Sequence, residues 1–175
     1  MNKTITLTLE PLTKRSFSPY GDVLSIEESP SIIINNGYAQ KHHNLCTMDA
    51  NENGGQSTVH IYLAKKRPFP LAIDMLEKHP FFSQAFIPRS NEPFLVVIAK
   101  GGDTPDLSTI KAFITDGNQG VHYKRGLWHF PLISIKDKEQ FIVIDRTDSG
   151  ITQNSVEECI EHYIQDKKII LNLED

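Results

Sequence analysis

Residues 71–88 read Leu71-Ala-Ile73-Asp-Met75-Leu-Glu77-Lys-His79-Pro80-Phe-Phe-Ser-Gln84-Ala-Phe-Ile-Pro88. Leu71, Ile73 and Met75 alternate with Ala72 and Asp74, the period of two that marks a strand with one buried face. If that strand runs on, Glu77 and His79 point to one side, because side chains two apart on a strand share a face. Pro80 has no N–H to give to a central ladder, so the strand ends or turns there. The chain then folds back and presents Gln84 to the same spot from a neighbouring strand. A carboxylate, an imidazole and an amide converge, a mixed N and O set suited to a divalent transition metal.

Outward from this segment the signals stay β. Ile5, Leu7 and Leu9 alternate with threonines, and Val59, Ile61 and Leu63 alternate with His60 and Tyr62. The second pattern predicts a buried aliphatic face and a solvent-facing His60. Phe94-Leu-Val-Val-Ile-Ala99 and Phe141-Ile-Val-Ile144 are short continuous apolar runs, as expected of strands covered on both faces. Turn residues recur at Pro19-Gly21, Asn35-Asn36-Gly37, Gly54-Gly55, Pro68-Pro70, Pro88-Ser90, Gly101-Gly102, Asp116-Gly117 and Gly150, too often for long helices between most of them. The expectation is one all-β (mainly β) domain over residues 1–175, an antiparallel barrel or sandwich with a few short helices. Thr13 to Phe17 reads as one helical turn capped by Thr13. Val156, Cys159, Ile160, Tyr163 and Ile164 form a helical stripe after a Ser155 cap, and Ile169-Ile170-Leu171 reads as a strand.

Composition removes several partners. The 175 residues carry 18 Lys+Arg against 22 Asp+Glu, a net charge of −4, and the longest basic run is Lys65-Lys66-Arg67. Nucleic-acid binding, which needs a clustered basic face, is excluded as an expectation. The run Phe94–Ala99 is far short of the roughly 20 residues that span a bilayer. Met1 to Thr4 leads into alternation rather than a signal-peptide core, so a soluble cytoplasmic protein is expected. Cys46 and Cys159 have no CxxC or Cys/His spacing around them and read as small apolar residues.

A second dense segment is Gly120-Val-His122-Tyr123-Lys124-Arg125-Gly126-Leu-Trp128-His129-Phe130-Pro131. His129, between two aromatic residues, is expected to be at least partly buried, where an imidazole needs a partner or a ligand role. Glu77-x-His79-x4-Gln84 followed by Gly126-x2-His129 resembles the two cupin motifs, with Glu and Gln replacing two of the usual ligands. More specifically, Phe17-Ser-x-Tyr20-Gly-Asp-Val23, Ile34-Asn-Asn-Gly37, Glu77-Lys-His-Pro80 with Gln84-Ala-Phe-Ile-Pro88, Pro105-Asp-Leu-Ser-Thr109 with Ala112-Phe-Ile-Thr115, and Gly120-Val-x-Tyr123 with Trp128-His129 resemble the ureidoglycolate lyase family of allantoin catabolism.

That likeness runs from about Phe17 to Arg146 and leaves the extension after Gly150 without an implied role. It implies a small cupin-type β-barrel or jelly roll, a homodimer, and cleavage of (S)-ureidoglycolate to glyoxylate and urea. It also implies a divalent metal, nickel in this family, on Glu77, His79, Gln84 and His129. Ureidoglycolate is a carbinolamide: its hydroxyl must lose a proton as the carbonyl forms, and the departing nitrogen must gain one. His129, His122 and Tyr123 are the candidate catalytic groups. Arg125, whose fork pairs bidentately, Lys124 and His43 are the candidate substrate contacts. Strict strand alternation keeps His122 and Arg125 on opposite faces unless Gly126 marks a bulge. His42 and His43 read mainly as a loop pair, Arg67 as a solvated cation in a proline-bounded turn, and His162 as lying outside the resemblance. Competing readings are ureidoglycolate amidohydrolysis with release of ammonia, a non-enzymatic small-acid-binding cupin, and, last, a sugar-epimerase-like cupin.

Overall fold

The computed structural model describes residues 4–147 and 158–173. At its centre runs the strand Phe94–Gly101, paired antiparallel with Pro105–Ile114 on one side and with Trp128–His129 and Ile133–Ser134 on the other. Leu95, Val97 and Ala99 enter one apolar cluster, while Phe94, Val96 and Ile98 enter a second. The continuous apolar run is therefore explained as expected: the strand has a core on each face.

Three β layers follow from these two cores. Thr4–Leu7, Lys168–Leu171 and Leu71–Ala72 form a small sheet whose Leu7, Leu71, Ile169 and Leu171 share a cluster with Leu95, Val97, Leu76 and Trp128. The large sheet runs in the order Ile160–Tyr163, Met75–Lys78, Trp128–His129, Phe94–Gly101, Pro105–Ile114, Leu9–Pro11. Opposite it lies a five-stranded sheet in the order Gly21–Leu24, Gly120–Tyr123, Gln84–Pro88, Glu139–Thr147, Gln56–Ala64. Val23, Phe86, Val121, Phe141 and Val143 from it share the second cluster with Phe94, Val96, Ile98 and Phe113. Each fully buried Phe or aliphatic side chain of this kind contributes roughly 1.5–3 kcal/mol. The fold is mainly β and cupin-like, as expected, but its sheets do not close into one continuous barrel. Two of its pairings, Thr4–Leu7 with Lys168–Leu171 and Leu9–Pro11 with Pro105–Ile114, are parallel.

The helical turn at Lys14–Phe17 forms as its sequence predicts. The Thr13 hydroxyl accepts from the Ser16 N–H, and the Ser16 hydroxyl accepts from the Thr13 N–H. Two expectations are corrected. On Gln56–Ala64 it is Val59, Ile61 and Leu63 that face solvent, at 65%, 63% and 66% exposure, while His60 turns toward Asp145 on the neighbouring strand. Periodicity gives a two-sided pattern but not which side is covered, and here the polar side faces the interior. At the C-terminus, Ile160–Tyr163 is a strand rather than a helix, antiparallel to Met75–Lys78 with Glu161 opposite Glu77. Pairing with the otherwise open edge of Met75–Lys78 outweighs the weak helical preference of so short a stripe. Ser155 and Val156 lie outside the described residues.

Candidate metal centre

Glu77 and His129 face each other across the pairing of Met75–Lys78 with Trp128–His129. The expected single strand from Leu71 is interrupted at Ile73-Asp74, and its buried side shifts phase, so Leu76 goes to the first core. Glu77 therefore turns to the opposite side, with Oε1 3.4 Å from His129 Nε2. His79, one residue past the strand end, stacks on Phe82 at 4.4 Å between ring centroids and lies 5.2 Å from the His129 ring. Ligand atoms of Glu77, His79 and His129 all lie within 4.8 Å of one another. Gln84, buried at the start of its strand, lines the same cavity of about 820 Å³ as Glu77, His79, Tyr62 and Phe86.

The hydrogen bonds around these residues fix their tautomers. His129 Nδ1 lies 2.9 Å from the Leu127 carbonyl, and His79 Nδ1 lies 3.2 Å from the Glu158 carbonyl. A carbonyl only accepts, so each Nδ1 carries the proton and each Nε2 presents a lone pair. Both Nε2 atoms, and Gln84 Oε1, are buried without a hydrogen-bond partner. Imidazole nitrogens and an amide oxygen buried beside a carboxylate are costly unless a proton shared between His129 Nε2 and Glu77 Oε1, or a metal cation, joins them. Two imidazoles, one carboxylate and one amide oxygen fit a divalent transition metal ion.

The electrostatics agree. Burial, reinforced by the charge of His129, lowers the His79 imidazole to about 4. For Glu77 burial alone would raise the carboxyl, but hydrogen bonding and charge from His129, then His79 and Cys159, outweigh it, and the net direction is down. Neutral imidazole and ionised carboxylate are the metal-binding forms.

Several residues at this site were not anticipated. Glu158 gives its carbonyl to His79, and its carboxylate lies 3.3 Å from Arg146 Nε. Cys159 Sγ donates to Glu77 Oε2 at 3.6 Å. Glu158 and Cys159, to which the sequence assigned no role, thus contact two of the candidate ligands. His60 Nε2 lies 2.9 Å from Asp145 Oδ1, and Gln84 Nε2 donates to Asp145 Oδ2 at 3.4 Å. Burial, and after it the charge and hydrogen bonding of Asp145, raise Tyr62, which stays a phenol. Tyr123, 4% exposed with its ring 4.7 Å from that of His129, is likewise pushed up, by burial and then by the charge of Glu77.

The remaining candidates lie elsewhere. Val121 and Tyr123 point into the second core, so His122 lies on the opposite face of the sheet, buried there with Nδ1 2.9 Å from Asp22 Oδ2. Strand pairing ends at Tyr123, and a turn with Gly126 at φ 75° follows. That break in alternation puts His122, Lys124 and Arg125 around one separate cavity. Arg125 is paired there with Asp49 at 3.3 Å and with Glu52, and Lys124 Nζ donates to the Ser18 carbonyl at 2.8 Å. His43 follows the hairpin of Ser31–Ile34 with Ala39–His42 and lines neither cavity. Glu77, His79, Gln84, His129 and Tyr123 are thus brought together; His122, Lys124, Arg125 and His43 are not.

Comparison with known proteins places this geometry in context. A family model described as ureidoglycolate lyase matches residues 4–170. A protein of Pseudomonas syringae pv. tomato named ureidoglycolate lyase is 42% identical over 163 residues, covering 93% of this chain and 92% of its own. One from Pseudomonas paraeruginosa with the same name is 43% identical over 168 residues, covering 95% and 96%. Another, from Stutzerimonas stutzeri, is 42% identical over 168 residues, covering 95% of each.

Proposed function

The chain belongs to the ureidoglycolate lyase family, and from that premise we propose that it cleaves (S)-ureidoglycolate into glyoxylate and urea at the Glu77, His79, Gln84, His129 centre. The observation that carries this reading is the convergence of the buried Nε2 atoms of His79 and His129 on Glu77, all within 4.8 Å, beside the cavity that Glu77 and His79 line. A divalent metal bound there, nickel by family resemblance, would supply Lewis acidity to the substrate hydroxyl. His79 and His129 would hold it through Nε2, since the Glu158 and Leu127 carbonyls take up their Nδ1 protons.

The protein's own groups then manage two protons. Asp145 accepts the proton of the hydroxyl, and Tyr62, which lines the cavity, gives one to the departing ureido nitrogen. The two act on each other, so the proton taken by one replaces the proton given by the other. The step consumes no water and needs no net proton, which suits a lyase. His60, 40% exposed at its side chain and paired with Asp145, links this couple to solvent. Tyr123 keeps the ring of His129 in place rather than exchanging protons.

Incubation of the protein with racemic ureidoglycolate tests the reaction. Urea and glyoxylate are expected in equal amounts; release of ammonia instead would support amidohydrolysis and overturn the lyase reading.

A homodimer is part of the same proposal. Val59, Ile61 and Leu63 on the outer sheet face, with Ile32 and Ile33 on the hairpin, are aliphatic side chains each more than half exposed, the kind of surface that marks an interface. Sedimentation equilibrium should give twice the chain mass, and a single-chain mass would remove this element. Among the described residues no helix is long and apolar enough to cross a membrane. We place the enzyme in the cytoplasm, which cell fractionation checks.

A further inference from the structure

The proposed substrate carries a carboxylate, and Arg125, the cation that sequence reasoning assigned to it, is committed to Asp49 and Glu52 on the other side of the sheet. The metal-centre cavity has its own cations. Lys65, Lys66 and Arg67 line it together with Glu77, His79 and Gln84. Among the described residues none of these three side chains enters an ion pair; the Lys and Arg residues that do are Lys111, Arg125, Lys136 and Arg146. In a chain of net charge −4, leaving three cations unneutralised beside one cavity concentrates positive potential there.

Arg67 is the most constrained of them. Its backbone N–H donates to the Ser134 carbonyl at 3.0 Å, and its guanidinium lies 5.5 Å above the Phe130 ring, the residue next to His129. Stacking on a buried aromatic face restricts the side chain yet leaves the N–H edge of the guanidinium free for a carboxylate. Lys66 is tied by its backbone N–H to Asp137 Oδ1 at 3.0 Å, which fixes the same short segment.

We infer that Arg67 is the carboxylate receptor of this site, the residue that selects a small α-hydroxy or α-oxo acid and turns its second carbon toward the metal ligands, with Lys65 and Lys66 adding attraction from the rim. This rests on the lyase reading for the identity of the substrate but not for the binding chemistry, and the test separates the two. Glyoxylate is the probe, because its hydrate carries the carboxylate and hydroxyl of the substrate and its binding needs no turnover.

In calorimetry on the metal-loaded protein, Arg67→Ala is expected to weaken glyoxylate binding roughly 10- to 100-fold, the usual range for losing a charged hydrogen-bonding partner. Arg67→Lys, a point charge without the fork, should recover part of the loss. Bound metal per chain and the circular dichroism spectrum should stay as in the parent, and KM for ureidoglycolate should rise more than kcat falls. Should Arg67→Ala prove unstable, Arg67→Gln provides the same reading with a more conservative side chain. Glyoxylate affinity within twofold of the parent in a folded Arg67 variant would overturn the assignment. Arg67-dependent glyoxylate binding in a protein that releases no urea would instead uphold the carboxylate site and remove the lyase reading.

Discussion

His129→Ala is expected to lower urea release by at least about a thousandfold, or about 4 kcal/mol in transition-state stabilisation, while leaving the β circular dichroism spectrum unchanged. His129 is 2% exposed and spends its Nδ1 proton on the Leu127 carbonyl, so its Nε2 is left toward Glu77. Truncation loses the 3.4 Å contact with Glu77 and the ring contacts with Tyr123 and His79, a large-to-small change at a buried position. The melting temperature should therefore fall while the β fold is kept, and the candidate ligand set, reduced from four members to three, should lose the ion. Full activity in a folded His129→Ala protein would remove the proposed centre.

Gly21→Ala is expected to cost about 4 kcal/mol or more, in the class of severe backbone clashes, and to lower Tm by roughly 8–16 °C for a chain of this size. A Cβ at Gly21 would sit 1.7 Å from the His122 carbonyl oxygen and 2.9 Å from its carbon. Both are backbone atoms held by the register of Gly21–Leu24 on Gly120–Tyr123, where Gly21 pairs with Tyr123, so neither can swing aside. The damage should reach the site as well, since Tyr123 packs on His129. A thermal melt within about 2 °C of the parent would contradict the packing described for this sheet.

The sequence made the strand-rich class legible because the relevant signals are local. The Phe94–Ala99 run announces a strand with two covered faces and Thr13 a cap, and Glu77, His79 and His129, singled out by spacing and resemblance, lie close together, with Gln84 on the same cavity as Glu77 and His79. What stayed hidden depends on contacts distant in the chain. Glu158 and Cys159 reach His79 and Glu77 only because Ile160–Tyr163 pairs with Met75–Lys78, about eighty positions away, and a short stripe read alone satisfies a helix equally well. Read locally, Val59, Ile61 and Leu63 make a core face and His60 a solvent-facing residue; in the fold the aliphatic side is exposed, and His60 meets Asp145. Arg67 looked like a solvated turn residue, since nothing in its neighbours shows that Phe130 lies beneath it. Ideal alternation separates His122 from Arg125, yet the turn at Arg125-Gly126 brings both to one cavity that Glu77, His79 and Gln84 do not line.

Lysis is proposed to depend on an ion held by Glu77, His79, Gln84 and His129. Titrating the rigorously metal-free protein with nickel, while counting bound metal per chain and urea released from ureidoglycolate, tests this most directly. Urea release rising in proportion to occupancy and saturating at one ion per chain is the predicted result; full urea release at zero occupancy would contradict it.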